Sequence, residues 1–291
     1  MDFSLFSIVT CTWNSEPYLK ECIDSVLSQD YPHIEWIFVD GGSTDGTLER
    51  IRSLNRQYKL IENVQGGISH AMNVGMQAAS GEIVVHLHSD DFLLGKDVLT
   101  KAHHLFCSTG CQWMFGRVLL SVNGKTMPEK YIPPRYSYSM LLGRNFIPHP
   151  ATFARRELLI NAGGYDTHLK YAMDYDMWLR LGRMAEPLQV HEPFAVFREH
   201  EGSLSTRERL SAMEEDYLVR RKYVGNHFFS GALHYARHIV RRRRIVRGLQ
   251  QGKLISASNL KAENSMRSEH QRFFFINWKW DKTGWMSKLK K

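Results

Sequence analysis

The sequence predicts an α/β fold of a mostly parallel central sheet flanked by helices, with a basic, largely helical extension at the C-terminus. Three observations predict it. Short apolar runs alternate with segments of helical period through residues 5–90, and strand–helix alternation builds parallel sheets through right-handed crossovers. The runs end in polar clusters, Thr12 and Asn14 after the first, "DGGSTDG" after the second and "HSDD" after the fourth, and ligands of open α/β sheets bind beyond carboxyl strand ends. Charge is divided, because residues 220–291 hold 18 Lys and Arg against 3 Asp and Glu, leaving the first 219 residues at −7 within a total of +8.

"FSIVTCTW" has the composition of a buried strand. In "SEPYLKECIDSVLSQ", residues Leu19, Cys22, Ile23, Val26 and Leu27 recur at helical spacing after Ser15 and Pro17, which suit a helix start. "IEWIFV" is the second strand, and "STDGTLERIRSL" the second helix, with Leu48, Ile51 and Leu54 on one face. "KLIEN" suits a short third strand. "GISHAMNVGMQAA" puts Ile68, Ala71, Met72, Gly75 and Met76 on one stripe, and "EIVVHL" is the next strand. Beyond residue 111, "QWMFGRVLLSVNGKTM" reads as a hairpin about Asn123-Gly124. "IPPRYSYSMLLGRNFIPHP" is rich in Pro, Arg and aromatics, "DYDMWLRLGRM" is a helix, "FREHEGSLST" a loop, and residues 208–270 are largely helical in pattern.

At 291 residues and 43% apolar, the chain can bury a core. It has no run near the roughly 20 apolar residues of a membrane span, and "MDFSLFSIVTCTW" lacks the basic start and cleavage site of a signal peptide. The expected location is cytoplasmic. Cys11 and Cys22 fall in apolar-periodic segments as buried thiols, and Cys107 and Cys111 lack two further ligands for zinc.

Asp90 and Asp91 pose a physical problem, since adjacent acids repel unless something positive lies beside them. A divalent cation answers it, because Mg²⁺ is usually held by one or two carboxylates plus substrate phosphates. Capping of the next segment, or solvation, answers it too. Asp40 ends the second strand inside "VDGGSTDGT", where glycines permit tight turns. Its carboxylate can accept a nucleobase N–H or close an Asx turn.

The chain resembles the inverting family 2 glycosyltransferases of the GT-A fold in four ordered segments: "SIVTCTWNSEPYLKECIDSVLSQDYPHIEWIFVDGGSTDGT", "GGISHAMNVGMQAASGEIVVHLHSDD", "PHPATFARRELLINAGGYD" and "YAMDYDMWLRL". The resemblance covers residues 5–205. It implies a Rossmann-like nucleotide-binding half over residues 1–110, an acceptor-side half over 111–207, and an extension over 208–291. It also implies that Thr10, Thr12, Asn14 and Asp40 form the nucleotide pocket, with Asp40 on the base and Gly67, Asn73 and Gly75 packed beneath. "HSDD" is similar to the family's Asp-x-Asp motif. Asp90 is then the first metal ligand and Asp91 the second, for Mn²⁺ or Mg²⁺, with Ser89 at the middle position. His88 stands where the motif has its first acid.

Asp174 matches the family's catalytic base, and a hydroxyl acceptor does need its proton removed as it attacks. Asp174 also suits a helix cap. Asp176, two residues on, is expected to be structural. His149 matches a histidine near the acceptor strand, and Arg198, His200 and Ser203 resemble a loop closing over the diphosphate. The implied partners are a nucleoside-diphosphate sugar, first a UDP-sugar, and a glycan or lipid-linked acceptor of bacterial surface polysaccharide synthesis.

The tail mixes arginines with apolar residues in "HYARHIVRRRRIVRGLQQGKL" and aromatics with lysines in "FFFINWKWDKTGWMSKLKK". That composition suits an anionic membrane surface, which would place the protein peripherally on the inner face. A solvated or dimer-forming appendage fits it as well. Nucleic acid fits less well, with no zinc-finger, RNP or helix-turn-helix pattern alongside. Two rival functions remain open: a catalytically silent relative whose tail recruits a partner, and a sugar nucleotidyltransferase. The latter class carries a long Gly-rich N-terminal loop that "TCTWNSEPYLK" does not provide.

Overall fold

A computed structural model describes residues 4–122, 124–128, 133–200, 208–224 and 228–250. Strands β1 (Phe6–Thr12), β2 (Ile34–Asp40), β3 (Lys59–Ile61) and β4 (Ile83–His86) lie parallel, joined through helices α1 (Glu16–Leu27), α2 (Thr47–Arg52) and α3 (Ile68–Ala78). The order of these strands across the sheet is β3-β2-β1-β4. Both faces are covered, so side chains alternate between two cores rather than between core and water. Val9, Ile37 and Val39 pack with Met72 and Met76 of α3, while Phe6, Ile8, Trp36 and Phe38 pack with Leu19, Ile23 and Val26 of α1.

The second half adds β5 (Phe92–Leu93), α4 (Val98–Thr109), β6 (Trp113–Val122), β7 (Lys125–Pro128) and α5 (Tyr138–Gly143). A 3-10 turn (His149–Ala151), β8 (Thr152–Arg155), α6 (Arg156–Asn161), α7 (Met173–Met184) and β9 (Leu188–Glu199) follow. β8 and β6 extend the parallel half with antiparallel pairs, and β9 returns parallel to β6. The hairpin forms as expected, with Val122 opposite Lys125. Asn123 at its tip lies outside the described residues. The expected loop at "FREHEGSLST" begins later than the pattern indicates, because Phe197, Arg198 and Glu199 are paired with Leu120, Ser121 and Val122 in the sheet. Residues 201–207 lie outside the described residues.

Helices α8 (Arg209–Val224) and α9 (Phe228–Gln250) complete the described chain. Two compact units result, residues 1–200 with 215–231, and residues 201–214 with 232–291. Of the extension, Glu215–Gly231 thus belongs to the first unit. Among the described residues no helix is long and apolar enough to cross a membrane.

α3 reaches the sheet through a glycine. A methyl group at Gly75 would lie 2.2 Å from Val9 Cγ1, well inside van der Waals contact. Gly75→Ala should therefore cost roughly 1–3 kcal/mol through overpacking; urea unfolding of the variant showing no loss would remove this contact as a constraint.

Candidate active site

The loops after β1 and β2 are laced together at the sheet's carboxyl edge. Asp40 organises them: its Oδ1 accepts the N–H groups of Gly42 at 2.9 Å and Ser43 at 2.8 Å, and its Oδ2 accepts the hydroxyls of Thr12 at 2.8 Å and Ser43 at 2.6 Å. The residue is 0% exposed. This is the Asx-turn alternative, and it corrects the expectation that Asp40 binds a base, because neither oxygen faces outward. Thr10 is corrected likewise: it is buried inside the sheet and accepts Trp36 Nε1–H at 3.1 Å. Asn14 adopts φ 47° and caps the neighbouring loop, its Oδ1 accepting Thr44 N–H at 2.9 Å. Trp13, between these, is 69% exposed. Its sequence signal is an aromatic placed immediately after a strand.

The segment beneath this edge is structural. Gly67 precedes α3 with φ 86°, a conformation that suits glycine. Asn73 does not face a nucleotide: its Nδ2 donates to Tyr165 O at 2.8 Å and its Oδ1 accepts Tyr165 N–H at 2.7 Å, bracketing the acceptor-side chain to α3.

The adjacent acids separate after β4. Asp91 turns inward, is 2% exposed, and accepts Arg198 N–H at 3.0 Å. Burial and the neighbouring Asp90 charge push its carboxyl well above the usual range. Asp90 turns outward with its side chain 29% exposed, and its Oδ2 lies 3.0 Å from His200 Nε2. Burial opposes its charge, but the His200 hydrogen bond holds it below the usual range. Asp91, expected as a second metal ligand, is therefore corrected to a buried anchor for β9. Ser89 is buried and donates to Ser15 Oγ at 2.8 Å, tying the turn to the start of α1.

Among the described residues no group of three His, Cys, Asp or Glu side chains is placed to cage a metal. One outward carboxylate, Asp90, fits the mode in which substrate phosphates supply most ligands. Arg198 is corrected from a loop cation: it is a buried strand residue paired with Glu21, its guanidinium over the rings of Tyr18 and Phe92. His200 lies against Tyr18 with ring centroids 4.1 Å apart and the planes tilted by 34°. Ser203 lies outside the described residues.

A line of rings leads from this turn toward α7. His88 stacks on His149 at 4.5 Å with the planes 5° apart, and His149 lies 6.0 Å from Trp178. Burial lowers the pKa of both imidazoles, and His88 Nδ1 and both nitrogens of His149 make no hydrogen bond. His86, held down to about 3 by burial, is the neutral imidazole whose Nε2 meets Met72 O and whose Nδ1 meets Tyr165 Oη.

One turn before Trp178 stands Asp174. Its Oδ1 accepts Tyr175 N–H at 2.6 Å and its Oδ2 accepts Asn145 Nδ2–H at 3.2 Å. Burial first, and the Asp216 charge second, raise its carboxyl to about 7. Glu215 fixes this end of α7 by accepting the N–H groups of Lys170 at 3.0 Å and Ala172 at 2.7 Å, together with that of Tyr171. Neither Asn145 nor Glu215 carries a local sequence signal, since each acts across a long stretch of chain. Asp176 faces away as expected, held by Arg180 at 2.9 Å and Tyr223 Oη at 2.7 Å.

A half-parallel sheet thus carries one carboxylate, Asp90, outward at its edge and a second, Asp174, at the start of α7. Comparison with known proteins gives the class. The profile described as Glycosyl transferase family 2 matches residues 7–151. An uncharacterized glycosyltransferase of Mycobacterium tuberculosis is 30% identical over 190 residues, covering 63% of this chain and 71% of its own. The chain belongs to this family. TuaG of Bacillus subtilis, named as a teichuronic acid biosynthesis glycosyltransferase, is 27% identical over 254 residues, covering 82% of this chain and 97% of its own.

Solved structures share the fold. The mannosyltransferase PcManGT of Pyrobaculum calidifontis, in complex with GDP-Man and Mn²⁺, superposes with a TM-score of 0.62 at 19% identity over 96% of this chain and 84% of that one. S. aureus TarS in complex with UDP-GlcNAc superposes with a TM-score of 0.61 at 24% identity over 74% of this chain and 65% of that one.

Because Asp174 is raised on folding, its ionisation works against the fold. Its neutral form favours the folded state most fully below the unfolded carboxyl range near 4, and that stability is lost as pH rises through about 7. Asp174→Asn, a neutral mimic, should therefore raise the melting temperature at pH 8, and the gain should vanish near pH 4. A gain independent of pH in scanning calorimetry would contradict the raised carboxyl.

Proposed function

We propose that the chain transfers a sugar from a nucleoside-diphosphate donor to a hydroxyl of a glycan or lipid-linked acceptor in surface-polysaccharide synthesis, with inversion at the anomeric carbon. The observation that carries this reading is geometric: Asp90 turns outward after β4, Asp174 is held at the start of α7 by Asn145 and the Tyr175 N–H, and the His88–His149–Trp178 rings run between their elements. A nucleotide-handling edge needs the first, and proton abstraction at neutral pH needs the second. TuaG's name supports a polysaccharide product, and the ligands of TarS and PcManGT support UDP- or GDP-linked donors.

In this mechanism the loops of Thr12, Asn14 and Asp40 shape the nucleotide pocket, and exposed Trp13 offers a ring on which a base can stack. Asp90 is the residue that would hold Mn²⁺ or Mg²⁺, which when bound supplies positive charge for the departing diphosphate. Asp174 takes the acceptor's proton as its oxygen attacks the anomeric carbon. The bond to the diphosphate oxygen breaks with its electron pair, and attack from the opposite face inverts the centre. Asn145 and Tyr175 N–H hold the two oxygens of Asp174, which orients the base and limits how far its carboxyl rises. His88 Nδ1 and both nitrogens of His149 are buried without hydrogen-bond partners between the turn after β4 and α7.

Calorimetric titration of UDP, GDP and dTDP, with and without Mn²⁺, tests the donor side. One nucleotide should bind with the metal, and Asp90→Asn should abolish the metal's contribution. Binding indifferent to both would remove Asp90 from the role. On the chemical side, Asp174→Asn should keep nucleotide binding and lower kcat by about 10²- to 10⁴-fold. Unchanged turnover would exclude Asp174 as the base. Pyrophosphate release from a sugar-1-phosphate and UTP or dTTP would instead favour the nucleotidyltransferase reading.

A further inference from the structure

We propose that the outward face of α9 docks the protein on an anionic lipid bilayer, a property separate from the transfer reaction. The helix spans Phe228–Gln250 and contains six arginines and no Asp or Glu. Folding sorts those arginines. At 100° per residue, Arg237, Arg241, Arg243, Arg244 and Arg247 share one broad exposed arc. The sixth, Arg242, points to the other side, where its Nε lies 3.2 Å from Glu214 Oε1. His238 joins it there, with Nε2 3.1 Å from Glu214 Oε2. Ile245 and Val246 on that inner side pack against Leu210 and Met213 of α8. The four-arginine run is thus divided: Arg242 turns toward a carboxylate within the unit, and Arg241, Arg243 and Arg244 are exposed.

The outer arc concentrates positive charge beside an apolar side chain, since Val240 sits within it at 50% exposure. Charge attracts an anionic surface over a Debye length, and a shallow apolar contact adds to it once the surface is reached. The chain continuing from this helix carries Phe273, Phe274, Phe275, Trp278, Trp280 and Trp285 among lysines. Aromatic and cationic residues together are the composition of bilayer interfaces. Single-stranded nucleic acid also accepts arginines and aromatics, and it is the rival that the test must separate.

The full-length chain is sedimented with phosphatidylcholine vesicles, with or without phosphatidylglycerol, at low and high salt and without donor or acceptor. Failure here is therefore distinct from failure of the catalytic reading. Binding should require phosphatidylglycerol and weaken with salt. Replacing Arg237, Arg243, Arg244 and Arg247 together by Gln should weaken it by about fivefold per residue, on the order of several-hundred-fold in all. The matched replacement by Lys should retain it, which separates charge from folding. Absence of phosphatidylglycerol-dependent binding, or a Gln variant that binds like the parent, would overturn the proposal. Tighter binding to a short single-stranded RNA than to the vesicles in the same buffer would also overturn it.

Discussion

Two carboxylates on consecutive residues at the end of a buried strand cannot share one environment at neutral pH, and the carboxyl edge of the sheet is organised around that constraint. The chain resolves it by turning the pair apart. Asp91 enters the interior, where burial favours its neutral form and the backbone of β9 supplies a donor. Asp90 keeps its charge toward solvent beside His200. Because Asp91 grips Arg198 in the same act, the residue that follows, Glu199, ends β9 and His200 arrives next to Asp90. The position of the outward acid and that of its histidine partner are set by one inward acid.

Much of this was legible in the residues, and the limit has a physical cause. β1 to β4 and their helices follow from the period of apolar residues, because a sheet covered on both faces needs continuous apolar strands. Asp90 and Asp174 stand out for their places after a strand and at a helix start. What period cannot supply is direction. Thr10 and Thr12 are two residues apart on one strand, yet Thr10 bonds to an indole in the core and Thr12 to the carboxylate that ties the loop. Asp40 looks equally suited to a ligand or a turn until its four hydrogen bonds are seen. Asn73, Asn145 and Glu215 each act on a distant stretch, and their chemistry is common to any polar residue until the partner is known.

The candidate base shows how a carboxylate can be kept both reactive and oriented. Burial and Asp216 raise it, while Asn145 and the Tyr175 N–H restrain the rise. Asp216 and Asn145 come from elements other than α7, so the affinity of Asp174 for a proton can be adjusted without moving the helix that carries it. The stacked imidazoles use the same interior differently, as uncharged polar groups between the turn after β4 and α7.

Glu215 has a consequence for how the polypeptide can be divided. The profile match ends at residue 151 and the resemblance near residue 205, but the carboxylate that accepts three N–H groups ahead of Met173 comes later in the chain. During synthesis from the N-terminus, Asp174 leaves the ribosome before the group that secures its helix. A shortened fragment ending just after β9 retains every acid of the candidate site and lacks that closure. The natural end point for a minimal catalytic piece is therefore past α8, and the first unit is finished by residues that a comparison of motifs alone would discard.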